Sequence, residues 1–260
     1  MTPARTDRRA LLSARSTAGD TAWRELQRIA SEPYRRSGRF GWLFARAKLS
    51  RDPVFRALLE RGDIPAHARV LDIGCGQGLL ASLFGACDEL VRRGAWPAEW
   101  ASPPTGARYT GIEIMPRDVQ RAMAAIGTLP SSPQVICADM RDADLPTVDS
   151  VVILDALHYV NHEAQTTLLR RVHAALAPRG RLLLRVGDAA NSRAFAVSHW
   201  VDRAVSTMRG QRLPPLFGRQ LAEWTVLLQG IGFHVNPRPM SRGTPFANVL
   251  LACDAAGAVP

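Results

Sequence analysis

Lysine is nearly missing from this chain: Lys48 is the only one, and the other 32 of the 33 basic residues are arginine. Such a bias reads as the base composition of the coding sequence rather than as chemistry. Cysteine is scarce too, with Cys75, Cys87, Cys137 and Cys253 far apart and no C-x-x-C pair. That spacing excludes a zinc ribbon and a disulfide framework, and the four read as buried small hydrophobes. No apolar run reaches the roughly 18 residues of a membrane-spanning helix. Residues 1–23 are arginine-rich without the apolar stretch of a secretory signal, so the expected location is cytoplasmic. No internal repeat is visible.

What is present can bury a full core. The 260 residues are 47% hydrophobic, which suits one α/β domain with an added N-terminal segment. Residues 1–65 hold 14 basic and 7 acidic side chains and so carry +7 of the net +10. A basic segment of this kind suits an acidic protein such as an acyl carrier protein, or an anionic membrane surface; nucleic acid is the least expected partner. We expect a helical unit over 1–65, frayed over 1–20, followed by the main domain over 66–255.

Apolar residues recur at helical spacing through Trp23, Leu26 and Ile29, then Phe40, Leu43, Phe44 and Ala47, then Val54, Phe55, Leu58 and Leu59. Pro33 and Pro53 are placed as first-turn prolines that start helices. Beyond residue 65 the pattern alternates. Strands are expected at 69–73, 109–114, 133–138, 148–154, 181–186, 232–236 and 247–253, and helices at 78–93, 118–126, 162–176, 192–208 and 218–229. Short apolar runs such as 151–154 suit strands covered on both faces, and the alternation predicts a doubly wound, Rossmann-like sheet with its site at the carboxyl ends of the strands. Residues 94–107, rich in Pro, Gly and Trp, read as an irregular insertion, and a loop of that length is often functional.

The most informative stretch is Val70-Leu71-Asp72-Ile73-Gly74-Cys75-Gly76-Gln77-Gly78-Leu79-Leu80, a buried strand ending in a glycine turn that opens a helix. A dinucleotide site needs G-x-G-x-x-G, but Leu79 stands where the last glycine belongs. The pattern is Asp-x-Gly-x-Gly-x-Gly. It closely resembles motif I of the class I S-adenosylmethionine (SAM) dependent methyltransferases, and the resemblance extends over about residues 70–186. It implies a seven-stranded sheet with an N-terminal helical extension, SAM as cofactor, and main-chain contacts at Gly74, Cys75, Gly76 and Gly78. A carboxylate ending strand two suits the ribose hydroxyls, and Glu113 stands there. Asp139 occupies the family's adenine-contact position, unless it is a helix N-cap, with Ile114 or Met140 against the ring. Asp72 would bond the turn amides or reach the methionine ammonium. Tyr34, Arg35 or Arg36 would hold the methionine carboxylate.

Methyl transfer from a sulfonium is an in-line displacement that depends on alignment and exclusion of water. An oxygen or carbon acceptor also benefits from a base. His158, in the segment after strand four, is the leading candidate, with Asp155 as its orienting partner or against the cofactor, and Tyr159 as a cavity wall. His162 reads as structural, and His199 as a more distant candidate. The Pro-Pro-aromatic motif of enzymes that methylate the amino groups of bases is absent after strand four. The block 33–55 more weakly resembles the leader of bacterial methyltransferases found with aryl polyene pigment enzymes. That implies secondary metabolism and an aromatic or polyketide-like acceptor, free or on a carrier protein. The alternative is a non-catalytic SAM-fold protein that binds RNA or an anionic membrane through its basic helices.

Overall fold

The computed structural model of the chain describes residues 4–187, 216–240 and 248–255. Its centre is a seven-stranded sheet: β1 (Arg69–Ile73), β2 (Arg108–Glu113), β3 (Gln134–Cys137), β4 (Val148–Leu154), β5 (Leu176–Gly187), β6 (Phe233–Pro239) and β7 (Asn248–Ala255). The order is β3-β2-β1-β4-β5-β7-β6, with β1 to β5 parallel and β7 antiparallel to both neighbours. The order reverses between β1 and β4, and in such sheets the ligand crevice opens beyond the carboxyl ends at that point. Successive side chains alternate between two apolar layers. Leu71, Ile73, Val151, Ile153, Leu182 and Leu184 face one layer, while Val70, Val152 and Leu183 face the other.

Four helical pieces precede the sheet: α1 (Ala4–Ser31), a 3-10 helix (Glu32–Ser37), α2 (Gly38–Arg51) and α3 (Pro53–Arg61). Helix α1 begins at Ala4, inside the stretch 1–20 that was expected to fray; Ala, Arg and Leu in this stretch are good helix formers. Pro33 and Pro53 both lie in first turns, as expected. Asp52 caps α3 by accepting the Val54 N–H at 3.1 Å. The layer packs on α4 (Leu79–Arg92), where the Ser82 hydroxyl donates to the Ala30 carbonyl at 2.7 Å. Helix α5 (Pro116–Ile126) follows β2, a short 3-10 turn (Leu157–Tyr159) and α6 (His162–Ala175) follow β4, and α7 (Leu221–Ile231) precedes β6.

Three further expectations are revised. Strand β5 begins at Leu176 rather than 181, since Leu176 pairs with Val148 across a register irregularity and the Pro178-Arg179-Gly180 stop signal falls inside the strand. Cys137 is exposed and Cys75 half-exposed; only Cys87 and Cys253 are buried. Cys137 lies on edge strand β3, which has a neighbour on one side only. The insertion 94–107 enters β2 at its amino end, opposite Glu113. It serves as a brace there: Trp96 and Trp100 meet edge to face at 5.4 Å, Ala101 N–H donates to the Glu60 carbonyl at 3.1 Å, and a Cβ on Gly19 would meet the Trp100 indole nitrogen at 2.9 Å. The helix expected at 192–208, with His199, lies outside the described residues.

Candidate functional site

The glycine turn connects the end of β1 to α4. Gly74 and Cys75 N–H groups both donate to the Ile112 carbonyl, at 2.8 and 3.1 Å, which ties the turn to β2. Gly74, Gly76 and Gly78 all have positive φ, where a Cβ is strained. Their surroundings differ. A Cβ on Gly74 would stand 2.3 Å from the Ala156 Cβ, and one on Gly78 would stand 2.7 Å from Ile126 Cδ1, whereas one on Gly76 would meet nothing within 4 Å. The main chain is therefore bare at Gly76, and there a ligand can come against it.

Glu113 sits beside that bare segment. Its Oε2 accepts the Gly76 N–H and its Oε1 accepts the Met115 N–H, each at 2.9 Å, and the residue is 9% exposed. Burial pushes its carboxyl above the usual glutamate value, against the pull of these amide donors. Each oxygen keeps a lone pair for a ligand hydroxyl. Ile114, next in the chain, is largely exposed. Tyr34 is fully buried and donates to the Gln77 carbonyl at 2.7 Å, so it fastens the 3-10 helix to the turn. The other two candidates of that block point elsewhere: Arg35 pairs with Glu32, and Arg36 donates to Thr128.

Asp72 does not bond the turn amides. It accepts the Tyr109 hydroxyl at 2.8 Å, on the face of the sheet shared with Val70. Burial pushes its carboxyl up to about 7; the Tyr109 hydroxyl opposes the shift and the Glu113 charge adds to it. A folded pKa above the unfolded value stabilises the protein fully below about pH 4, and this contribution disappears as the pH rises through 7. Hence the stability of the protein is expected to fall between pH 4 and 7 by on the order of a few kcal/mol more than that of Asp72→Asn. Denaturant midpoints of the two proteins across that range check this, and parallel curves would contradict it.

Asp139 begins a tight turn rather than a helix, so the N-cap alternative is corrected. Its Oδ1 accepts the Arg141 N–H at 2.9 Å, and both oxygens pair with the Arg141 guanidinium, which holds the carboxyl below the usual aspartate value. Met140 is half-buried, packed under the same loop. After β4, the half-buried His158 ring lies 4.2 Å from that of Tyr159, and the His158 carbonyl accepts the Phe217 N–H at 2.9 Å. His162 is exposed at the start of α6, where it faces the Gly218 carbonyl at 3.2 Å.

Asp155, the orienting partner assigned to His158, is engaged elsewhere. Its carboxylate takes the Arg185 guanidinium, with Nε to Oδ1 at 2.8 Å, and stands 3.7 Å from the Lys48 ammonium. Burial alone would raise this carboxyl, but the two cations hold it below the usual value. Sequence reasoning passed over Arg185, Asp52 and Lys48. The signal was available in Leu182-Leu183-Leu184-Arg185-Val186, where an arginine breaks an apolar strand on the pleat shared with Leu183. Among the described residues no three His, Cys, Asp or Glu side chains gather as a metal site.

A family profile described as a methyltransferase domain matches residues 42–236, most of the chain. The chain belongs to this methyltransferase family. Class I methyltransferases use SAM, and the bare Gly76 beside Glu113 fits such a group. No curated protein matches this methyltransferase chain in sequence. Solved structures share its fold. Magnesium protoporphyrin IX methyltransferase from Synechocystis PCC 6803 with bound S-adenosylhomocysteine is 17% identical over 80% of this chain and 83% of that one, with a TM-score of 0.55. The mitomycin 7-O-methyltransferase MmcR is 20% identical over 89% of this chain and 61% of its own, with a TM-score of 0.58. An O-methyltransferase family protein from Burkholderia thailandensis is 17% identical over 86% and 62%, with a TM-score of 0.57. Among the described residues of this methyltransferase no helix is long and apolar enough to cross a membrane.

Proposed function

We propose that the protein transfers a methyl group from SAM to an oxygen or carbon of a small aromatic or polyketide-like acceptor, free or carrier-bound. The observation that carries this reading is the Glu113 carboxylate bonded to the bare Gly76 amide at the switch point of the sheet. In this reading Glu113 binds the ribose hydroxyls, and the main chain of Gly74, Cys75, Gly76 and Gly78 cradles the cofactor. Asp72 faces the methionine ammonium, and Ile114 and Met140 flank the adenine. Asp139 accepts from the adenine amino group once Arg141 yields one of its bonds.

Bound SAM supplies an electrophilic methyl and leaves as a neutral thioether. The chain then has to align the acceptor, exclude water and take a proton. His158 takes that proton, Tyr159 walls the acceptor, and Asp155 lies beside the reacting centre with its charge already balanced. A carrier-bound or otherwise anionic acceptor would meet the exposed Arg36, Arg39 and Arg46. SAM labelled in its methyl group, incubated with phenolic acids, acyl carrier conjugates and RNA, tests the acceptor class; label on RNA alone would contradict this reading. His158→Ala is expected to keep S-adenosylhomocysteine affinity and lose about 10²–10⁴-fold in turnover, the usual worth of a positioned base. Unchanged turnover would remove His158 from that role.

A further inference from the structure

One guanidinium joins two parts of the molecule that are far apart in sequence. Arg185 is 1% exposed on β5, facing the N-terminal helices. Its Nε and Nη2 hold Asp155, at the end of β4; Nη1 and the shared Nη2 reach Asp52, between α2 and α3, with Nη2 to Oδ2 at 2.7 Å. Lys48, on the last turn of α2, adds its ammonium 2.8 Å from Asp52. With two carboxylates and two cations the group is neutral, which a buried cluster requires. Planar forks of this kind also fix direction, as a lysine could not.

Asp155 is a non-glycine residue with φ at 56°, a conformation that needs the surroundings to hold it. The next residue, Ala156, is the one against which Gly74 is packed without room for a Cβ. Two and three positions further on stand His158 and Tyr159. A shift of Asp155 would therefore move the 3-10 turn and press Ala156 into the glycine turn.

We propose that Arg185 is a positioning residue: by clamping Asp52 to Asp155, it sets the distance between α2 and the His158–Tyr159 turn, the two elements that flank the end of β4. In the methyltransferase reading these are the walls that the acceptor meets, so the clamp governs acceptor fit more than cofactor affinity. Only this catalytic consequence rests on that reading; the clamp itself does not.

The test uses the full chain. Arg185→Met leaves two buried carboxylates facing each other and could fail to fold, so Asp52→Asn is the decisive variant. Asparagine still caps α3 and matches the shape, while the charge that binds Arg185 is gone. Amide hydrogen exchange over 155–160 is expected to speed up by about tenfold. Because Lys48 is the only lysine, an amine-specific acylating reagent reports on it directly, and its labelling should rise by about fivefold. S-adenosylhomocysteine affinity should stay within about threefold, while kcat/KM for an acceptor found in the panel falls by about tenfold or more, chiefly through KM. Arg185→Lys should not restore these values. If exchange over 155–160 and Lys48 labelling match the parent protein while only the melting temperature drops, the cluster is a stability element and the proposal is wrong. Failure of the parent protein to bind SAM would count against the methyltransferase reading alone, since exchange and labelling still decide the clamp.

Discussion

Glu113→Ala is expected to weaken S-adenosylhomocysteine binding by on the order of 100-fold. The magnitude follows from two hydroxyl bonds to an ionised acceptor, each worth about 1.5 kcal/mol or more, against about 1.4 kcal/mol per decade of affinity. The same change frees the Gly76 N–H that Glu113 now holds at 2.9 Å, so the turn loses one of its anchors, while the Gly74 and Cys75 bonds to the Ile112 carbonyl remain. Glu113→Gln keeps the shape and one acceptor, and should fall between the parent and alanine. Its amide nitrogen would face one of the two backbone N–H groups that the carboxylate now accepts, so Glu113→Gln is also expected to cost about 1–3 kcal/mol in stability. Isothermal calorimetry with S-adenosylhomocysteine and with NAD reads the result. Equal affinity in parent and alanine variant would remove Glu113 from the cofactor site, and NAD binding without SAM binding would remove the cofactor assignment itself.

The second large effect separates two glycines only two residues apart. Gly74→Ala places a methyl 2.3 Å from Ala156 at a positive φ, so strain and overpacking add up, and a loss of about 2–4 kcal/mol in folding stability is expected. Gly76→Ala has the strain without the clash, since nothing lies within 4 Å of its Cβ. It should cost only about 1–2 kcal/mol in stability but occupy the space where the ligand meets the main chain. Denaturation midpoints and cofactor affinity measured on both variants should therefore move in opposite orders: Gly74→Ala mainly unfolds, Gly76→Ala mainly fails to bind. If Gly76→Ala binds S-adenosylhomocysteine like the parent, the cradle lies elsewhere.

Much of this was legible in the linear sequence because it depends on local rules. The run Val70–Ile73 followed by alternate glycines specifies a strand, a turn that only glycine adopts easily, and a helix start. Glu113 was identifiable from the carboxylate near the end of the second expected strand together with the resemblance carried by the glycine turn, although the strand was expected to run one residue further, to 114. Asp155 shows where that reasoning stops. Position after a strand suggests a catalytic carboxylate, and proximity in sequence suggests His158 as its partner, yet the nearest opposite charges come from residues 48 and 185. The insertion 94–107 misled in a related way. Its length and its tryptophans suggest function, but the direction of β2 puts it at the amino end of the sheet, where the tryptophans brace α1 and α3.

The sequence by itself determined the class of fold, the glycine turn and the carboxylate beside it, since backbone dihedral preference and hydrophobic period act within a few residues. Only the tertiary structure decided which charges meet. Asp52, Asp155 and Arg185 converge because the chain returns three times to the same end of the sheet, and burial there turns ordinary surface ion types into a single coupled cluster. Tyr109 on Asp72 belongs with them: adjacent strands set that bond, and no spacing in the chain announces it.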